Sequence, residues 1–201
     1  MTLALIPAAG KSTRMGRSKL ALPLGERTVL EHVIAALGKG GAEHVLVVLG
    51  PHVWEMAPLA ESTGASVLVL PEETADMRAT VEAGLRWLEE RFAPRPENAW
   101  LLAPADHPTL EPDVVRQLLA ARAAHPESSI FIPTFRGERG HPALIAWKHV
   151  AAMRGLPGGQ GLNVYLRQQI GETLELPVDT DAVLCDLDTP KDYERLRRKW
   201  R

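Results

Sequence analysis

The chain has one cysteine, Cys185, in 201 residues, so no internal disulfide can staple it. Aromatic residues make up 5% of the chain, and its five tryptophans are scattered, a distribution that suits packing rather than a base-stacking platform. Lys plus Arg number 23 against 25 Asp plus Glu, for a formal net charge of −2 without any run of like charges. A general electrostatic attraction to nucleic acid or to an anionic membrane is therefore not expected. No apolar run approaches the roughly 20 residues of a membrane span. The first residues also lack a basic segment followed by an apolar stretch and a cleavage site. These absences lead to the expectation of a soluble, cytoplasmic protein that binds neither nucleic acid nor membrane.

What is present suits one globular domain over residues 1–201. A hydrophobic fraction of 45% and a charged fraction of 24% lie near the averages for soluble domains, so a core can form without metal or disulfide. Short apolar runs at Leu3–Ile6, Val45–Leu49, Val67–Leu70, Trp100–Ala103 and Ile130–Ile132 read as strands buried on both faces. Between them, Val29/Val33/Leu37, Met77/Val81/Leu85/Leu88/Phe92 and Val114/Leu118 recur at helical spacing. Alternating strands and helices imply an α/β fold, with a mostly parallel central sheet and helices on both faces. Thr28 with Glu31 fits a capping box, and Thr189-Pro190-Lys-Asp192 marks a second helix start. Residues 134–161 break the alternation with many glycines and prolines, as an excursion over a ligand at the strand ends would. Beyond it, Leu162–Ile170 is expected to be helical, and Thr173–Val178 and Val183–Asp186 extended.

The first strand runs into Ala8-Ala9-Gly10-Lys11-Ser12-Thr13-Arg14-Met15-Gly16-Arg17-Ser18-Lys19, a loop of glycines, hydroxyls and cations. Such a composition binds phosphate, because glycine lets backbone N–H groups approach an anion and Arg or Lys neutralises its oxygens. Gly10-Lys11-Ser12-Thr13 is not a P-loop, since Leu5 stands where that motif needs its first glycine. A dinucleotide fingerprint fails too, because Gly10 and Gly16 lack a third glycine at the required offset.

Ala8-Ala9-Gly10-x-Ser12-x-Arg14-Met15-Gly16-x-x-Lys19 resembles the nucleotide-binding signature of the MobA-like nucleotidyltransferases, and within them most resembles the molybdenum cofactor cytidylyltransferase branch. Three further stretches match in order: Pro104-Ala-Asp106-His-Pro108, Arg139-Gly140-His141-Pro142 and Asp186-Leu-Asp188-Thr189-Pro190. The resemblance spans the chain and implies a three-layer, Rossmann-like fold of the GT-A type. It implies catalytic roles for Arg14, Lys19 and Asp106, and nucleotide or acceptor contacts for Ala8, Ala9, Gly10, Ser12, Gly16 and His141. It also implies a Mg2+ site drawing on Asp106, Asp186 and Asp188, with residues 134–161 on the acceptor side. The sequence departs from the pattern at Pro7, which resembles the methylerythritol phosphate cytidylyltransferases, and at Asp76, where the family commonly has glycine.

The implied reaction is attack of an acceptor's phosphate oxygen on the α-phosphorus of a nucleoside triphosphate, with release of pyrophosphate. It needs alignment and charge neutralisation more than a strong base. Asp106, between two prolines after a strand, is a carboxylate suited to Mg2+, the alternative being a cap on the helix that begins near Pro112. Asp186 and Asp188 are two apart on an expected extended segment and so can face one way; Asp188 alternatively caps the terminal helix. His107 reads as a packing or orienting neighbour of Asp106. The remaining histidines show no zinc spacing. The Ala8-Ala9 pair resembles the cytidylyl branch, whereas guanylyl relatives often carry an extra glycine; a methyl narrowing the space beside the base implies CTP over GTP. The acceptor implied by the resemblance is molybdopterin, with a molybdoenzyme as receiving partner. A sugar or polyol phosphate acceptor is the alternative, and a non-catalytic nucleotide or cofactor chaperone a third reading.

Overall fold

Leu3, Ala4, Leu5 and Ile6 are all fully buried because their strand lies in the middle of a sheet covered on both sides. The computed structural model describes residues 1–10 and 18–200. In chain order the elements are β1 (Thr2–Ala8), β2 (Pro23–Leu24), β3 (Arg27–Thr28), α1 (Val29–Gly40), β4 (His44–Leu49), α2 (Ala57–Ser62), β5 (Ser66–Val69), α3 (Met77–Phe92), β6 (Ala99–Leu102) and α4 (Pro112–Ala124). There follow β7 (Ile130–Phe135), β8 (Glu138–Arg139), β9 (Ala143–Ala146), α5 (Val150–Arg154), α6 (Leu162–Gln168), β10 (Thr173–Pro177) and α7 (Pro190–Lys199).

The main sheet has the order β10-β7-β9-β6-β1-β4-β5, with β8 paired to β7. β1 is parallel to both β4 and β6, and β10 to β7, whereas β9 runs antiparallel to β6 and β7. Strand periodicity divides each run between two cores. Ala4, Ile6, Val47 and Leu101 pack with Val33 and Leu37 of α1 and Val115 and Leu118 of α4. Leu3, Leu5, Val48 and Trp100 pack with Val81, Leu85 and Leu88 of α3 and with residues of α5 and α6. Full burial of each such Leu or Val stabilises by about 1.5–3 kcal/mol relative to exposure. At Gly84 a Cβ would lie 2.6 Å from Leu5 Cδ1 and 2.8 Å from Val48 Cγ2, so α3 approaches the sheet more closely than a larger residue permits. A third cluster, Leu22, Leu24, Val29, Leu187, Tyr193 and Leu196, fastens α7 over the β2–β3 ribbon.

Both expected capping boxes form. The Thr28 side chain accepts from the Glu31 N–H while the Glu31 carboxylate accepts from the Thr28 N–H, and Thr189 and Asp192 repeat the exchange at α7. Among the described residues no helix is long and apolar enough to cross a membrane.

Two local expectations change. Val67–Leu70 was expected to be buried on both faces, but β5 is the sheet edge and its Val69 is 41% exposed. Val183–Asp186 was expected to be extended; instead a 3-10 turn covers Asp181–Val183, begun by the Thr180 hydroxyl accepting from the Ala182 N–H. That turn lets the Val183 carbonyl accept from the His141 N–H at 2.8 Å instead of joining a sheet. Residues 134–161 supply the end of β7, then β8, β9 and α5, and β9 lies inside the main sheet.

Candidate active site

Because β4 and β6 flank β1 on opposite sides, the direction of winding reverses at β1. Ligands of open α/β sheets bind outside the carboxyl ends of the strands at such a reversal. A cavity of about 430 Å³ lies there. One wall is the end of β1, Pro7 to Gly10. Among the described residues, a Cβ on Gly10 would meet no atom within 4 Å, so none of them closes off its backbone on that side. A second wall is the start of α3, with Asp76, Met77 and Thr80. The third is formed by Pro104 to Asp106 and by Asp188, with Lys19 reaching across.

Lys19 opens a short 3-10 turn, Lys19–Ala21. Its Nζ lies 2.6 Å from Asp106 Oδ2 and 3.0 Å from Asp188 Oδ1, so carboxylates 82 residues apart in the chain converge on one ammonium. Burial by itself would lower the Lys19 pKa, but hydrogen bonding and charge from Asp106, and then from Asp188, raise it overall. The group is a full cation at neutral pH. Neither carboxylate serves as the cap considered for it: Glu111 is the N-cap of α4 and Thr189 that of α7. The C-terminal segment is also held to the loop after β6 by Thr109, whose hydroxyl lies 3.2 Å from the Ala182 carbonyl and 3.4 Å from that of Cys185.

The structure thus brings Ala8, Ala9, Gly10, Lys19, Asp106 and Asp188 to one cavity. Asp186 is exposed and is not part of the lining; fully buried Leu187 separates it from Asp188. His141 also stands off the wall, edge-on to buried His107 with ring centroids 5.2 Å apart. Burial, and then the neighbouring His107, push the His141 pKa down to about 4, so its imidazole is neutral near pH 7. Ser12, Arg14 and Gly16 lie outside the described residues. Met77, the first member of the apolar series at helical spacing, is 61% exposed at the cavity rim. Its place directly after the N-cap Asp76, whose carboxylate accepts from the Ala79 N–H, was the available signal: the first residue of a helix precedes its buried stripe.

Among the described residues no group of three or more His, Cys, Asp or Glu is arranged to hold a metal ion. The pair Asp106 and Asp188 could still supply two carboxylates to a hard divalent cation whose remaining ligands are water and substrate phosphate.

Comparison with known proteins places the chain in a family and a fold. The model of the MobA-like NTP transferase domain matches residues 4–173. The purine catabolism protein PucB of Bacillus subtilis is 30% identical over 199 residues, covering 95% of this chain and 93% of that protein. The molybdenum cofactor cytidylyltransferase of Escherichia coli is 23% identical over 198 residues, covering 98% and 95%. A solved nucleotidyl transferase from Methanothermobacter shares the fold, with a TM-score of 0.79 and 23% identity over 100% of this chain and 97% of that one. Rv0371C of Mycobacterium tuberculosis, solved with manganese, has a TM-score of 0.74 and 25% identity over 98% of each chain. Nucleoside triphosphates, phosphate-bearing acceptors and divalent metal are common to such enzymes. With the four sequence motifs, the sheet order and these matches in agreement, the chain belongs to the MobA-like NTP transferase family and is a nucleotidyltransferase.

Proposed function

We propose that the protein transfers CMP from CTP to a phosphate-bearing acceptor, molybdopterin by preference, in a Mg2+-dependent reaction that releases pyrophosphate. The observation that carries this reading is the Lys19–Asp106–Asp188 cluster lining one cavity with Ala8, Ala9 and Gly10 at the end of β1. It pairs a cation for phosphate oxygens with carboxylates for a hard metal.

Mg2+ would be held by Asp106 and Asp188 and would supply neutralisation of phosphate charge. The end of β1 receives the nucleotide, with the backbone at Gly10 open to close approach and the Ala8 and Ala9 methyls limiting room beside the base. Arg14 and Lys19 meet the triphosphate oxygens. The acceptor's phosphate monoester has its second pKa near 6, so at neutral pH it attacks the α-phosphorus without a general base. The new P–O bond forms there as the bond to the pyrophosphate oxygen breaks. His107, whose pKa is lowered chiefly by burial, and His141 act as neutral groups behind Asp106. Molybdopterin is favoured by the family branch that the four motifs resemble and by the Escherichia coli relative of that name. The receiving partner is then a molybdoenzyme, and the setting the cytoplasm.

Pyrophosphate release measured with each of the four triphosphates and Mg2+, with and without molybdenum cofactor, tests the reading. Release with CTP that depends on the cofactor is expected. Equal release with GTP removes the base assignment. Release with methylerythritol phosphate instead moves the protein to sugar and polyol phosphates. Binding without any release makes it a chaperone.

A further inference from the structure

Lys19 and a divalent ion call on the same oxygens. Asp106 Oδ2 and Asp188 Oδ1 are the atoms on the Lys19 ammonium, which therefore bridges the two carboxylates through these oxygens. An ion bound through them would stand next to that ammonium, and two like charges so close in a partly buried site repel strongly. Ion and ammonium therefore exclude each other from the carboxylate pair. The lysine has somewhere to go: it stands on a flexible four-carbon stem and lines the same cavity as Gly10 and Thr80.

We propose that Lys19 is a displaceable latch that holds Asp106 and Asp188 together and keeps a divalent ion off them until a nucleoside triphosphate draws its ammonium away, so that metal and nucleotide enter as a coupled pair. This rests on the reading of the cavity as a triphosphate site. Before nucleotide arrives, the ammonium offsets the repulsion between the carboxylates and keeps their spacing ready for an ion. Once triphosphate oxygens are present, the ammonium exchanges one set of anionic partners for another, and the carboxylates are released at little cost. Linkage makes the effect reciprocal: whatever factor the triphosphate adds to metal affinity, metal adds to triphosphate affinity.

The test is Mn2+ binding to the nucleotide-free full chain, followed by electron paramagnetic resonance. Lys19→Met is expected to bind Mn2+ about tenfold more tightly than the unaltered protein, within the 5–150-fold typical of coupled sites. The gain should persist in about 1 M KCl, where screening extends only about 3 Å and a long-range charge effect is lost. CTP should tighten Mn2+ binding by a larger factor in the unaltered protein than in the variant. Equal or weaker Mn2+ binding by Lys19→Met, or a gain abolished by salt, overturns the latch. Lys19→Gln, measured alongside with thermal unfolding of both, keeps the comparison valid if the methionine variant folds poorly. Asp106→Asn separates the two levels of argument. If it binds Mn2+ as the unaltered protein does, the metal reading itself falls; if it loses Mn2+ while Lys19→Met gains nothing, only the latch does.

Discussion

Leu187 donates its backbone N–H to the carbonyl of Asp106 over 2.9 Å, which ties the segment carrying one site carboxylate directly to the residue carrying the other. The Thr109 hydroxyl reinforces this bond by reaching two carbonyls of the same segment. Thr109→Val keeps the shape but removes the donor, and is expected to cost about 1 kcal/mol in urea unfolding. It should also weaken Mn2+ binding severalfold, because Asp188 is less firmly placed beside Asp106. Unchanged Mn2+ affinity would show that packing of Leu187 alone sets the spacing.

Gly140 packs against the same segment at Val183. A Cβ there would lie 2.5 Å from the Val183 carbonyl oxygen and 2.7 Å from its side chain. Gly140→Ala must therefore displace Val183, and the segment leading to Asp188 is expected to move with it. We expect a loss of about 1–3 kcal/mol, as for other overpacked sites, and a fall in turnover. Gly158→Ala is the matched control, since a Cβ there meets nothing within 4 Å among the described residues; if both variants lose turnover alike, displacement of the Asp188 segment is not the cause.

Most of the scaffold was legible because its signals are local. The runs at Leu3, Val45, Trp100 and Ile130 are strands for the reason that makes them apolar: each has helices on both faces. Thr28 and Thr189 announce helix starts through hydrogen bonds within four residues. β9 was not legible, because Ala143–Ala146 is too short and too closely flanked by glycine and proline to show a period. It is a strand only because β6 and β7 leave a place between them. The site divides in the same way. Lys19 and Asp106 stood out by motif, but the choice between Asp186 and Asp188 depends on Leu187 turning inward into the α7 cluster, a tertiary fact. The position of His141 beside His107 rather than on the cavity wall likewise follows from its N–H reaching Val183, more than forty residues away in the chain.

Asp106→Asn keeps the size of the side chain and removes its charge. Asparagine is a poorer ligand for a hard cation and takes the Asp106 carboxylate away from Lys19. Turnover with Mg2+ should fall by about 10²–10³-fold, the range seen when one group that stabilises transition-state charge is lost. Urea unfolding should change little by comparison. Lys19→Ala should instead raise the KM for the triphosphate along with lowering kcat. Full activity of Asp106→Asn would remove that carboxylate from the reaction.

His141 sets an acid limit on the fold. Its imidazole normally titrates at 6.5, and burial, with His107 beside it, brings that down to about 4. Between those values the unfolded chain takes up a proton that the folded chain refuses. The stability it contributes is therefore complete above pH 6.5 and is lost as pH falls through the window toward 4, by about 3 kcal/mol at its lower end. His107 and His149, also lowered chiefly by burial, act with the same sign, so His141→Gln should flatten the profile without abolishing it. Urea midpoints at pH 7 and pH 4.5 provide the measurement, and the slope between them is the readout, because the variant has its own cost at every pH. The same slope in both proteins would mean that the His141 ring takes up its proton in the folded chain as readily as in the unfolded one, against its place between His107 and the chain at Val183.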